Sequence, residues 1–402
     1  MGAYDLVLRG GHVIDPANAR DGVMDVAISG GRVARVAPAI EDLDARSIDV
    51  SGRYVTPGLI DIHVHVYPHR GPNGPTWQWS IIPDAHSFRV GVTTLVDAGT
   101  AGADHFDDFR TKWIDRSQTR VLAWLNIAAG SMGDAEQDPR QFDVQRAAHT
   151  LAAHSDVLVG IKTAHYWTRD PWDDLHTPWA SVDAAVEAGE RSGRPIMVDF
   201  WPRPPERSYP DLILKHMRPG DVHTHVFAQQ FPILTPDGGV YDYLWQARDR
   251  GVLFDLGHGG ASFWFRNAVP AIEHGFPPDS ISTDLHAQSI LSVQSDMPNC
   301  ISKMMTLGMG LQEAILRSTV NPARAIKRYP ELGTLGVGSN ADLAILNLES
   351  GVFAFTDAWR KKRLATKRLE CVFTIRDGKI VFDMNGLAFP LWNTAGDYGV
   401  IQ

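Results

Sequence analysis

Two cysteines in 402 residues, Cys300 and Cys371, are too few for a disulfide framework, and their spacing excludes a C-x-x-C thiolate zinc site. So little cysteine fits a reducing compartment, and the expectation is a cytoplasmic protein. No apolar run approaches the roughly 18 residues that a membrane span requires. The opening MGAYDLVLRGGHVID lacks a basic stretch followed by a long apolar one, so no signal peptide is expected. Positive charge is also in short supply: 38 Lys and Arg stand against 47 Asp and Glu, a net charge of −9. The densest basic run, RKKRLATKR at 360–368, precedes a strand-like stretch and reads as a solvated face. Neither nucleic acid nor membrane is therefore expected as a partner. No glycine-rich phosphate loop follows any strand-like segment, which counts against a doubly wound nucleotide-binding sheet.

What is present is a globular composition, 44% hydrophobic and 21% charged. The two chain ends share one texture. Residues 4–55 and 333–385 give short strand-like runs separated by Gly pairs and Asp-rich turns, with Asp377-Gly378 signalling a tight hairpin. Neither end has enough residues for a comfortable core. They are expected to pack together as one discontinuous β-sandwich domain (1–55 and 333–402) around an inserted middle (56–332). In the middle, eight apolar runs recur at 58–66, 91–99, 120–128, 156–164, 194–200, 221–227, 251–258 and 280–286. Helix-like segments such as TPWASVDAAVEAGERSG separate most of them. Continuous apolar strands alternating with helices imply a parallel sheet covered on both faces. Eight of them over about 230 residues fit an α/β fold of the (β/α)8, or TIM, barrel type.

Function in such a barrel sits at the C-terminal ends of the strands. The polar residues that end the runs are His63 and His65, Lys162, Asp199, His223 and His225, His258, and Asp284 and His286. Residues i and i+2 of a strand point the same way, so His63 shares a face with His65, and His223 with His225. A lone strand histidine is ordinarily a satisfied core residue, and Asp284 has an alternative as a helix N-cap. Lys162, in DVLVGIKTA, is harder to explain as core, because a buried ammonium is costly unless paired or neutralised. Imidazoles and carboxylates converging on one mouth suit Zn²⁺, Mn²⁺ or Fe²⁺.

PGLIDIHVHV at 57–66, with GIK, HTHVF, GHGGASF, STDLH and the later NPARAI…LGTLGVGSNADLAIL, resembles the amidohydrolase superfamily of metal-dependent hydrolases. More narrowly it is similar to the amidohydrolase/deacetylase group near the dihydroorotases, hydantoinases and D-aminoacylases. The resemblance implies a binuclear centre of two divalent metal ions, zinc first, with manganese or iron as alternatives. His63, His65 and Asp284 would hold the more buried metal and His225 the more exposed one. Lys162 would bridge both as a carbamate formed with CO2. Asp284 would also act catalytically, moving a proton from a hydroxide-forming water to the leaving nitrogen. Relatives carry a histidine where this chain has Asp199. Either Asp199 is an oxygen ligand, or His223 supplies the imidazole, or the second site is weak and the enzyme mononuclear.

The loops that would set specificity carry His69 and Arg70 after the first strand, and His165, Tyr166, Trp167 and Arg169 after the fourth. With Trp201 and Arg203 they suggest an aromatic, partly cationic pocket for a small carboxylate-bearing substrate. His258 and His286 resemble family positions near the substrate. The expected reaction is hydrolysis of a C–N bond of the N-acyl type, or a related ester, by a hydroxide generated at the metal. A cyclic amidase and a non-catalytic scaffold are the alternatives. A homo-oligomer is expected from the resemblance.

Overall fold

A computed structural model describes residues 3–42, 44–71, 74–76, 79–396 and 399. Parallel strands run, in neighbour order, from Leu59–Val64 through Val92–Gly102, Arg120–Asn126, Leu158–Thr163, Ile196–Val198 and Val222–His223 to Leu253–Phe254. An eighth, irregular segment closes the ring. Leu256 and His258 donate their backbone N–H groups to the carbonyls of Ser280 and Ser282, and His65 donates to that of Leu285. Ser280 thus bridges to Asp255, and Leu285 to Val64. The result is the expected (β/α)8 barrel.

The sixth and seventh strands and the eighth segment fall short of their apolar runs. The cause is backbone reversal at the rim: His225, Gly257 and Asp284 have φ of 63°, 47° and 46°, in the left-handed region that ends an extended strand. Between the fourth and fifth strands, helix Ala180–Ser192 buries Val182, Ala185 and Ala188 toward the sheet and ends at Gly193, whose φ of 63° suits a helix C-terminus.

The chain ends meet in one mixed sheet. Leu343–Leu346 pairs antiparallel with Tyr54–Pro57, which in turn pairs with Leu6–Asp15. Strict alternation decides what each face covers. Leu343 and Ile345 join Leu8, Val26, Val55 and Phe373 in a core shared by both ends, while Ala344 and Leu346 face the barrel core. The Asp377-Gly378 turn has both residues at positive φ, as a two-residue hairpin of this hand requires. Arg120 ties the two bodies together, meeting Asp342 and, at 2.7 Å, Asp377. Among the described residues, no helix is long and apolar enough to cross a membrane.

Candidate metal centre

His63, His65, Lys162, Asp199, His225, Asp284 and His286 all line one cavity of about 790 Å³ at the C-terminal rim. Among the described residues, His63, His225 and Asp284 form a donor set whose ligand atoms lie within 4.8 Å of one another. His63 Nε2 and His65 Nε2 approach Asp284 Oδ1 at 3.5 and 3.4 Å, and His225 Nε2 approaches Asp199 Oδ2 at 3.5 Å. Lys162 Nζ is 3.4 Å from His63 Nε2. Charge-assisted hydrogen bonds are shorter than this, about 2.7–2.9 Å. Two donors that share an ion at about 2.1 Å stand roughly 3.0–3.4 Å apart for ordinary coordination angles. The spacing is that of donors around a cation.

Hydrogen bonds behind the rings say which nitrogen is offered. His63 Nδ1 is 2.8 Å from Thr224 Oγ1, which donates its single proton to Asp255 Oδ2 at 2.8 Å. With Asp255 ionised, the threonine oxygen accepts from His63 Nδ1–H, and Nε2 carries the lone pair. Asp255 is itself held by the hydroxyls of Ser280 and Ser282, both at 2.6 Å. The same relay recurs at His65. Its Nδ1 is 2.7 Å from Thr100 Oγ1, which donates to Asp97 Oδ2 at 3.0 Å. His225 Nδ1 donates to the Gly257 carbonyl at 2.6 Å. His63 and His65 therefore turn bare Nε2 atoms into the cavity, His225 turns its Nε2 there as well, and carboxylate oxygens face them. Such outer partners fix tautomer and ring orientation in metal sites. Replacing Thr224 by Val is expected to weaken metal affinity about 10–100-fold, measured against a chelating dye. An unchanged affinity would remove the relay from the account.

The backbone is shaped to the same end. Gly99, at φ 79°, leaves the space where a Cβ would lie 2.5 Å from Lys162 Cβ. Gly259, at φ 51°, leaves the space where a Cβ would meet Asp284 Oδ2 at 2.3 Å. Asp61, on the face of His63 and His65, accepts from the Thr283 hydroxyl at 2.5 Å and backbone N–H at 3.1 Å, which pins the residue before Asp284.

Burial shifts these groups in opposite directions. Desolvation, then Lys162 and the neighbouring histidines, push His63 well below the ordinary imidazole range. His225 is disfavoured by burial, but Asp199 outweighs that and pushes it up to about 8. Burial would raise Asp199, yet His165 and His225 hold it below the usual carboxylate range. Asp284 is likewise opposed by burial but lowered by His65 and His225. Desolvation lowers Lys162, with Asp199 and Asp284 pulling the other way.

Several expected site residues lie elsewhere. His223 does not share a face with His225, because the strand stops at His223 and His225 turns into the left-handed region. The His223 ring packs instead among Tyr209, Phe231 and Phe254, so it supplies no imidazole to the cavity. His258 does not line the cavity either. It is fully buried, stacked on Phe263, with Nε2 2.8 Å from Lys303 Nζ. Tyr166 is buried beside Phe142 and Trp167, and Arg169 is exposed, so neither lines the cavity. Arg203 is spent on the carbonyls of Trp167 and Asp170. The side chains of His69 and Arg70 lie outside the described residues. His286 does face the cavity, near Trp79, and its buried Nδ1 has no hydrogen-bond partner. Sequence reasoning did not single out Glu136, a buried carboxylate in the cavity wall held by Asn126 and the Gly133 N–H. Nor did it find Thr100, Asp97, Thr224 or Asp255, although the Thr between two histidines in HTH was a readable hint.

Fold and donor set together define a metal-dependent hydrolase built on a barrel rim. Comparison with known proteins narrows the class. Residues 265–381 match the family described as the Amidohydrolase family. A Brucella anthropi protein named a deacetylase is 34% identical over 328 residues, 78% of this chain and 76% of that protein. An Agrobacterium fabrum deacetylase is 33% identical over 349 residues, covering 83% and 81%. The solved structure of an adenine deaminase superposes with a TM-score of 0.83 at 28% identity, over 94% of this chain and 99% of that one. The chain belongs to the amidohydrolase superfamily.

Proposed function

We propose that this protein removes an acyl group from a small N-acyl compound, hydrolysing the C–N bond at a cation centre held by His63, His65, Lys162, Asp199, His225 and Asp284. The observation that carries the reading is the pair of His–Thr–Asp relays, which commit the Nδ1 atoms of His63 and His65 outward and leave Nε2 atoms facing carboxylate oxygens. Deacetylases at 33–34% identity support acetyl as the group removed. A divalent ion held there, zinc first by its fit to this N/O donor set, would supply a Lewis acid for the carbonyl and water acidified toward pKa ~7.

The chain does the rest. Asp284, held ionised, takes the proton from the attacking water and returns it to the leaving nitrogen. His286, with its unpartnered Nδ1, hydrogen-bonds the substrate. Lys162 acts as its carbamate, an oxygen donor where an ammonium would repel the ion. Among the described residues no arginine lines the cavity. Its walls hold aromatic side chains (Trp79, Phe200, Trp201), carboxamides (Gln137, Gln229, Gln230, Gln288) and the carboxylates of Asp134 and Glu136. Carboxylates in the wall disfavour an anionic substrate, so its part beyond the acyl group is flat or apolar, with uncharged hydrogen-bonding groups.

The test is acetate release from N-acetyl amino acids and from their uncharged amides, by metal-free and by zinc-, manganese- or iron-loaded protein. Metal-dependent release, faster from the uncharged compounds, is expected. Substoichiometric metal with no hydrolysis of these compounds or of cyclic amides would sink the reading.

A further inference from the structure

We infer that His165 is a ligand of a second, outer cation position, which it forms with Asp199 and His225. The inference deepens the reading above and rests on it, but the residue that completes the site comes from a loop rather than from a strand end. Asp199 Oδ2 lies between two imidazoles, 3.2 Å from His165 Nε2 and 3.5 Å from His225 Nε2. His225 Nδ1 is committed to the Gly257 carbonyl, so Nε2 is the nitrogen it turns toward that oxygen. An ion seated there would be held by the carboxylate oxygen and both ring nitrogens. At 3.2 and 3.5 Å the separations are close to the roughly 3.0–3.4 Å of two donors sharing one ion at about 2.1 Å.

The loop is built to bring His165 there. His165 follows Lys162 by three residues, and its backbone sits at φ 53°, uncommon for a residue with a side chain. Trp167 repeats the conformation at φ 45°. Gln137 enforces the bend from across the cavity: its Nε2 donates to the His165 carbonyl at 3.0 Å, and its Oε1 accepts from the Trp167 N–H at 2.9 Å. Backbone held in a sparsely populated region needs such over-determination and clusters at functional sites. The His165 side chain is 62% exposed, although its Nε2 meets a carboxylate that is only 8% exposed. Packing does not account for a solvent-facing ring aimed at a buried acid. A ligand that closes the outer side of an exchangeable cation position does.

The experiment is equilibrium dialysis of metal-free protein against Co²⁺, read by metal content per chain and by visible absorption of the bound ion. Wild type should take up two ions with distinguishable affinities. His165→Ala should keep the tighter one, weaken the other by about 10-fold or more, and lose its share of the absorption. Asp199→Ala should do the same, and Gln137→Ala should move the same site by less. His165 is exposed, so its removal leaves the fold intact, and circular dichroism checks this. A His165→Ala isotherm and spectrum that superpose on wild type, with one ion or two, overturn the inference and leave the proposed function standing. Wild type that binds no ion removes the proposed function itself.

Discussion

Asp284→Asn is expected to cut turnover by about two to four orders of magnitude, the range that positioned proton transfer contributes, while most of the metal stays bound. Asparagine is the informative replacement for three reasons. It has the same shape, so the gap left by Gly259 at Asp284 Oδ2 remains filled. It also tolerates the left-handed backbone, φ 46°, at this position, which most residues resist. Finally, its amide oxygen still faces His63 and His65, which keeps donors around the ion. What it cannot do is accept a proton near neutral pH. In the native protein burial works against an ionised Asp284, and the His65 contact and the charge of His225 overcome it, so the group stands ready as a base. The measurement pairs kcat with metal content on the same preparation. Turnover within a few-fold of wild type would assign the proton to another group, such as Glu136 in the cavity wall. Loss of metal in step with activity would make Asp284 a ligand first.

Where sequence reasoning worked, one rule sufficed. His63 and His65 lie on a strand long enough for alternation to hold, Leu59–Val64 and one residue beyond, and both rings turn into the cavity. The same rule failed at His223 and His225 because it presumes extended backbone through three residues. Here the strand is two residues long, and the second histidine sits in the left-handed region. The eighth strand shows the same effect: its apolar run predicted a strand over 280–286, and Asp284 bends it. Backbone reversal at a barrel rim aims side chains inward, and no periodicity reports it. His258 was misplaced for another reason, since its partner Lys303 lies 45 residues on, in helix Met297–Thr306. The relays through Thr100 and Thr224 were illegible because their members meet only when the barrel closes. The alternation of Leu343 and Ile345 against Ala344 and Leu346 was not legible, because all four are apolar and only the packing assigns their faces.

Lys162→Ala should lose more metal affinity than the roughly 10–100-fold that an outer partner costs, and acetate should restore part of it. Lys162 is 2% exposed on the fourth strand, with its Nζ 3.4 Å from the His63 nitrogen that would face the proposed ion. A positive charge about 4 Å from another costs roughly 4 kcal/mol at an effective dielectric constant near 20, and a divalent ion doubles that. An ammonium and a cation therefore cannot share this corner. Loss of one proton makes the lysine neutral, and bonding of its nitrogen to the carbon of CO2, with loss of a second, makes it an anionic oxygen donor. The second product turns a repulsion into a ligand, which is why the carbamate is the form proposed. Alanine leaves a void the length of the lost side chain beside Gly99, and acetate supplies the missing carboxylate from solution. Lys162→Gln fills the same void with a neutral amide, and acetate should do nothing for it. A carbamate signal from ¹³C-bicarbonate in the metal-loaded wild type, absent from both variants, is the direct check. Full metal binding and hydrolysis in Lys162→Ala without acetate would show that the lysine serves the barrel wall and not the ion.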